Sequence, residues 1–313
     1  MSRADPDNDS TWGRSLFVLL RLLVVAFALQ ALGENPVNQG WVLFMILVSA
    51  GVLFPFSRPL QGLRSMPLLE VHQWNMTVLM FLGFIRTPGR EAAVFAGCWF
   101  FWCCFMAWES WQNLRKSNSF QLGNLCVAVS GIFPTIGAAW LVAHRAGWTP
   151  WNFDPLIVLL TAAHFHHAGF TLPLMAGLNA KARPGRLIQW SCVAILVGVP
   201  LVAAGITCTH FGALPFVEPF GVAILVLGAL GVAVSQIQRG LERDCRGITR
   251  VGFWVSGVSL FAAMLLALSF GLRFVFPQFA LTMPQMWMIH GTLNAFGFGL
   301  CGILAWRSKT AQI

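Results

Sequence analysis

Residues 155–178 read PLIVLLTAAHFHHAGFTLPLMAGL, an apolar run that contains no Asp, Glu, Lys or Arg. A run of about 20 apolar residues is long enough to cross the hydrocarbon core of a bilayer as one helix. Because nine further mainly apolar runs of similar length occur in the chain, we predict an all-α, polytopic bundle of about ten spanning helices. The predicted spans cover 15–32, 40–56, 67–86, 92–113, 120–143, 155–178, 186–208, 217–237, 251–275 and 281–306.

The composition is that of a membrane protein. Hydrophobic residues make up 57% of the 313 residues, charged residues make up 10%, and the mean hydropathy is +0.70. Soluble domains contain roughly 25% charged residues. Too few residues remain outside the predicted spans to form a soluble catalytic or nucleic-acid-binding domain. The expected partners are therefore the lipid bilayer and a small-molecule ligand, and we expect no nucleic acid.

The positive charges are distributed unequally between the two sides of the predicted bundle. Fifteen Lys and Arg residues fall on one side and four on the other. Since cytoplasmic loops carry the excess of Lys and Arg, we predict that both termini are cytoplasmic. The expected organisation is a cytoplasmic tail at 1–14, a single transmembrane domain at 15–306 and a cytoplasmic tail at 307–313. The expected location is the bacterial inner membrane.

Four histidines fall at one predicted depth in the bilayer. His164, His166 and His167 lie about ten to thirteen residues into the 155–178 span, or roughly 15 to 20 Å at 1.5 Å per residue. His290 lies about ten residues into the 281–306 span, which runs in the same direction. Ionisable side chains at this depth are costly and mark candidate functional sites. We therefore predict a site near the membrane midplane that combines both segments.

Helical spacing predicts which of these side chains share a face. The residues at i, i+4, i+7 and i+11 of the later span form one polar and small stripe: His290, Asn294, Gly297 and Cys301. In the earlier span, His164, His167 and Thr171 form one stripe, and His166 lies on another. His164 and His166 therefore cannot bind one ion from a regular helix. Pro173 removes a helical hydrogen bond and predicts a kink on the cytoplasmic side of the histidines.

A second polar cluster is predicted toward the cytoplasmic side. Glu70 and His72 open the 67–86 span, and Glu109 lies one turn from the end of the 92–113 span. A Glu and His pair at this level could relay protons. The alternative is that these side chains lie at helix ends and contact only headgroups and water.

The runs HFHHAGF at 164–170 and HGTLNAFGF at 290–298 make this chain resemble the YndJ-like membrane proteins of bacteria. The resemblance extends over roughly residues 155–306. The family pattern often has Tyr where His167 stands, so the resemblance favours His164, His166, His290 and Asn294 as functional residues. More distantly, the later run resembles the haem-ligand helices of haem-copper oxidases and NnrS-like membrane proteins, which implies haem as a cofactor.

Two functional hypotheses follow from the histidine segments. In the first, His290 and one of His164 or His166 bind a transition metal or a haem, and the protein is a membrane-embedded redox or small-molecule enzyme. In the second, the protein transports a small solute that binds between the 155–178 and 281–306 spans. The His and Asn side chains then form hydrogen bonds to the solute, and Pro134, Pro173 and Pro200 break the helices.

Overall fold

The computed structural model describes residues 37–63, 66–117 and 119–310, and these residues contain helices but no strand. Eight of its helices are long and apolar enough to cross a membrane, and a shorter apolar helix covers Val42–Ser57. These nine helices coincide with nine of the ten predicted spans. The tenth predicted span, 15–32, lies outside the described residues. The chain is therefore a multi-pass helical membrane protein.

The helices are numbered here in chain order. They are α1 (Val37–Val48), α2 (Phe54–Ser57), α3 (Pro67–Ile85), α4 (Arg90–Ser117), α5 (Leu122–Arg145), α6 (Pro155–His167), α7 (Thr171–Ala182), α8 (Arg186–His210), α9 (Val217–Gly240), α10 (Gly247–Gly271), the short α11 (Met283–Gln285) and α12 (Cys301–Thr310). Three stretches are π-helical: Ser49–Leu53 between α1 and α2, and Met286–His290 and Leu293–Leu300 between α11 and α12. Two short 3₁₀ turns, Pro150–Asn152 and Pro277–Phe279, lie in loops.

The connections between helices alternate between two faces of the bundle. We call the face with loops 86–89, 146–154, 211–216 and 272–282 the outer face, and the face with loops 58–63, 119–121, 183–185 and 241–246 the inner face. On the outer face, the Arg273 guanidinium binds Glu218 at 2.7 Å. On the inner face, the Asn113 amide donates to the Gln61 carbonyl at 3.0 Å. The charge count predicts that the inner face is cytoplasmic.

The histidine helix is broken directly after His167. A turn at residues 168–170 separates α6 from α7, and Pro173 has no N–H to donate to the Gly169 carbonyl. The break therefore lies beside the histidines, where the sequence predicts a kink. The predicted breaks at Pro134 and Pro200 are wrong, because both residues lie inside the continuous helices α5 and α8. Neighbouring helices compensate for such prolines within membranes.

The later histidine segment is also irregular. π-Helical turns are rare and are often found at functional sites, and here they include His290 at the end of Met286–His290. Gly297 packs against Ser259 of α10, and Gly299 lies against Thr171 of α7. Gly297 thus faces α10, and Gly299 makes the close approach to the α6–α7 segment.

Candidate functional site

A cavity of about 260 Å³ lies inside the bundle between the two histidine segments. Its walls come from α1, α6, α7, α8, α9, α10 and the π-helical stretches near His290, and most lining side chains are Leu, Ile, Val, Met, Ala or Phe. The polar side chains that matter for its chemistry are His164, His167, Glu218, Trp287, His290 and Asn294. We call this space the histidine cavity. Four of the five predicted midplane site residues line it.

His167 and His290 are both held by backbone carbonyls. The Nε2 atom of His167 lies 3.1 Å from the Met45 carbonyl oxygen, and the Nδ1 atom of His290 lies 2.9 Å from the Ala263 carbonyl oxygen. Since a carbonyl only accepts, each of these nitrogens carries the proton and donates it. In a neutral ring the other nitrogen is then an acceptor. These acceptors are Nδ1 of His167 and Nε2 of His290.

Several polar atoms at the cavity have no hydrogen-bond partner among the described residues. They are Nδ1 of His167, Nε2 of His164 and the indole Nε1 of Trp287, and all three atoms are buried. Buried polar atoms in native structures nearly always have partners, so such exceptions call for an explanation. The Asn294 amide, in contrast, donates to the His290 carbonyl oxygen at 2.8 Å.

His166 lies away from the cavity and has a structural role. Its Nδ1 donates to the Ala162 carbonyl oxygen at 2.7 Å, and its Nε2 accepts from the Trp99 indole at 3.0 Å. The side chain is fully buried, and Gly137 packs directly against its ring. Both ring nitrogens are therefore engaged, and the structure does not bring His166 together with His290.

Glu218 is a cavity residue that the sequence does not reveal. It is the second residue of α9 and is 5% exposed. Its carboxylate accepts from the Arg273 guanidinium and from the Thr209 hydroxyl, both at 2.7 Å. This ion pair joins the outer ends of α8, α9 and α10, so it lies at the outer end of the histidine cavity.

The second predicted cluster does not assemble as a Glu and His pair around Glu109. The Glu109 carboxylate binds the guanidinium of Arg58 at 3.0 Å, and Arg58 is 1% exposed. His72 is exposed on α3, and Glu70 is half-buried. Glu109 therefore neutralises a buried cation on the inner face and contacts more than headgroups.

No group of three or more His, Cys, Asp or Glu side chains in residues 37–63, 66–117 and 119–310 is arranged to hold a metal ion. His164, His167 and His290 nevertheless line the same cavity.

Comparison with known proteins agrees with the sequence resemblance. The profile of a family described as YndJ-like protein matches residues 41–298, which include the HFHHAGF and HGTLNAFGF runs. The uncharacterized membrane protein YndJ of Bacillus subtilis (strain 168) is 26% identical over 301 residues. The match covers 94% of this chain and 53% of that relative, so the chain spans about half the length of the curated relative. No solved structure matches.

Proposed function

Because this chain belongs to the YndJ-like protein family and is a multi-pass membrane protein, we propose that it transports a small solute that binds in the histidine cavity. The proposed membrane is the bacterial inner membrane, with the inner face of the bundle toward the cytoplasm. The proposed binding residues are His164, His167, His290 and Asn294.

The observation that carries this proposal is the irregular backbone of both segments at the residues that would bind the solute. A turn follows His167 at the end of α6, and His290 ends a π-helical stretch within a helical segment that continues to Thr310. Substrate sites of many transporters are formed by discontinuous helices near the bilayer midplane. Irregular backbone within a membrane is tolerated where it is buried or lines a cavity.

The size of the cavity favours a small solute over a haem. Pockets for drug-sized ligands occupy roughly 300–1,000 Å³, and the histidine cavity, at about 260 Å³, is just below this range. The structure also weakens the hypothesis that His290 binds a haem or a metal together with His164 or His166. His166 is not available as a ligand, because both of its ring nitrogens already form hydrogen bonds.

Transport requires that the cavity open in turn to the two faces. At present the Glu218 and Arg273 ion pair lies at the outer end, and its two side chains come from α9 and from the residues after α10. Movement of these helix ends relative to one another would open the cavity outward. The proposal is therefore tested by measuring whether the cavity can be reached from both sides of the membrane.

Cysteine labelling in a variant that lacks the eight native cysteines measures this accessibility. Ala168→Cys places a thiol on the cavity wall beside the helix break. We expect an impermeant thiol reagent to label it from the outside in cells and from the inside in inverted vesicles. Labelling from both sides is expected because a transporter exposes its binding site alternately to the two faces of the membrane.

Three matched Ala→Cys variants serve as controls. Ala213→Cys, on the outer face, should be labelled only from outside, and Ala182→Cys, on the inner face, only from inside. Ala138→Cys is fully buried in α5 away from the cavity and should not react. Protection of Ala168→Cys from both sides, in a folded protein whose controls react as expected, would contradict transport. Exchanged labelling of Ala213→Cys and Ala182→Cys would instead reverse the proposed orientation.

A further inference from the structure

The geometry points to the chemical class of the solute: we propose that the histidine cavity recognises a small, uncharged, mainly apolar molecule that carries a hydroxyl group, such as an alkylphenol or a short alcohol. This inference rests on the proposed binding site and adds the identity of the group that is recognised. It depends on which ring atoms donate and which accept.

The cavity offers hydrogen-bond acceptors on two histidines. The Met45 and Ala263 carbonyls fix the protons of His167 and His290 on the nitrogens that contact them. The opposite nitrogens, Nδ1 of His167 and Nε2 of His290, therefore present lone pairs. A ligand that only accepts hydrogen bonds, such as an ether or a ketone, leaves both lone pairs without a partner. A ligand with one O–H group supplies a donor to one of these two lone pairs.

The cavity also offers at least one donor. The indole N–H of Trp287 is buried without a partner among the described residues, and an indole nitrogen can only donate. Trp287 precedes His290 by three residues in the same π-helical stretch. A hydroxyl oxygen accepts as well as donates, so one hydroxyl group can satisfy both kinds of atom. An alkylammonium group donates but cannot accept from the indole.

The charge of the cavity favours a neutral ligand. Glu218 is the one Asp, Glu, Lys or Arg among the cavity-lining residues that the structure describes. Its carboxylate oxygens already accept from Arg273 and Thr209. A charged solute would find no uncompensated counter-charge there, and burying an unpaired charge in an apolar environment is strongly unfavourable.

A matched pair of compounds tests the inference. The first, 4-ethylphenol, carries the hydroxyl group, and the second, 4-ethylanisole, has a methyl ether in its place and cannot donate. Binding is measured by titration calorimetry with the full chain in lipid nanodiscs, after subtraction of the signal from empty nanodiscs. We expect 4-ethylanisole to bind at least about tenfold more weakly, because buried acceptors would remain unpaired.

Single substitutions identify the histidine that accepts the hydrogen bond from the hydroxyl group. His290→Leu and His167→Leu each remove one acceptor and put an apolar side chain of related size in its place. Because one hydroxyl has one proton to donate, the substitution that removes its acceptor should weaken 4-ethylphenol binding about tenfold, and neither substitution should weaken 4-ethylanisole binding. Unchanged 4-ethylphenol affinity in both variants would contradict recognition by these histidines. His210→Leu is the control, since His210 binds the Trp151 carbonyl on the outer face and should not affect either compound.

The outcomes separate this inference from the proposed function. Equal affinity for the two compounds, with Ala168→Cys labelled from both sides, would overturn hydroxyl recognition and leave transport intact. Absence of binding by either compound under the same labelling result would also overturn it. Stoichiometric iron, copper or zinc retained by the purified protein, lost in His290→Ala but not in His210→Ala, would overturn it in favour of a metal centre. Protection of Ala168→Cys from both sides contradicts the proposed function itself.

Discussion

Replacing Gly205 by Ala is expected to destabilise the bundle by about 3 kcal/mol or more. A Cβ atom at this position in α8 would lie against the backbone of Glu218 in α9, 2.7 Å from its nitrogen. Overpacking typically costs about 1–3 kcal/mol, and a clash with backbone cannot be relieved by a change of side-chain rotamer. Small residues allow such close helix contacts within membranes. The substitution should also displace Glu218 and disturb the outer end of the histidine cavity.

Gly97→Ala is the matched control for this prediction. Gly97 also lies inside a long helix, α4, but a Cβ atom there would meet nothing within 4 Å. Its replacement should leave the midpoint of thermal unfolding in detergent unchanged or slightly raised, since Ala is the better helix former. Equal midpoints for the Gly205→Ala and Gly97→Ala proteins would contradict the α8–α9 packing described above.

Replacing Glu109 by Ala is expected to cost about 3 kcal/mol of stability. This carboxylate lies 3.0 Å from the guanidinium of Arg58, and the two side chains are 15% and 1% exposed. Removal of one partner from a buried ion pair typically costs about 3–5 kcal/mol, because the remaining buried charge loses that counter-charge. The lower end of this range applies since Glu109 keeps some exposure.

Glu91→Ala provides the comparison on the same helix. Glu91 lies 4.0 Å from Arg86 at the outer end of α4, and both side chains are more than half exposed. Exposed pairs contribute roughly 0–1 kcal/mol, so this variant should unfold close to the wild-type midpoint. If Glu109→Ala were as stable as Glu91→Ala, Glu109 would have only the headgroup contacts that the sequence allows.

The sequence predicts the nine spans that fall within the described residues because such spans depend on local properties. Runs of apolar residues define the helices, and helical spacing separates His166 from the stripe of His164, His167 and Thr171. The structure places that stripe at the cavity and His166 outside it. Pro173 likewise indicates the break after His167, since the missing N–H acts within one turn.

The remaining features depend on partners that are distant in sequence. The Trp99 indole that engages His166 lies 67 residues away, and the Arg58 that binds Glu109 lies 51 residues away. From the sequence alone, Glu218 is a residue near the start of a helix. Its contact with Arg273 and its position on the cavity wall follow only from the folded structure. Gly297 packs against α10, and which neighbouring helix it contacts cannot be read from a spacing of 3.6 residues per turn, because π-helical turns precede it.

The protonation of individual histidine rings tests the central claim most directly. Nitrogen NMR of the protein labelled with ¹⁵N-histidine in lipid can distinguish the two neutral tautomers and the charged ring for the seven histidines, which single His→Gln variants assign. We expect a neutral His290 protonated on Nδ1 and a neutral His167 protonated on Nε2, and the opposite nitrogen of at least one of these residues should shift when 4-ethylphenol is added. A charged ring, or a proton on the opposite nitrogen of either residue at pH 7, would contradict the arrangement of acceptors on which the proposed site depends.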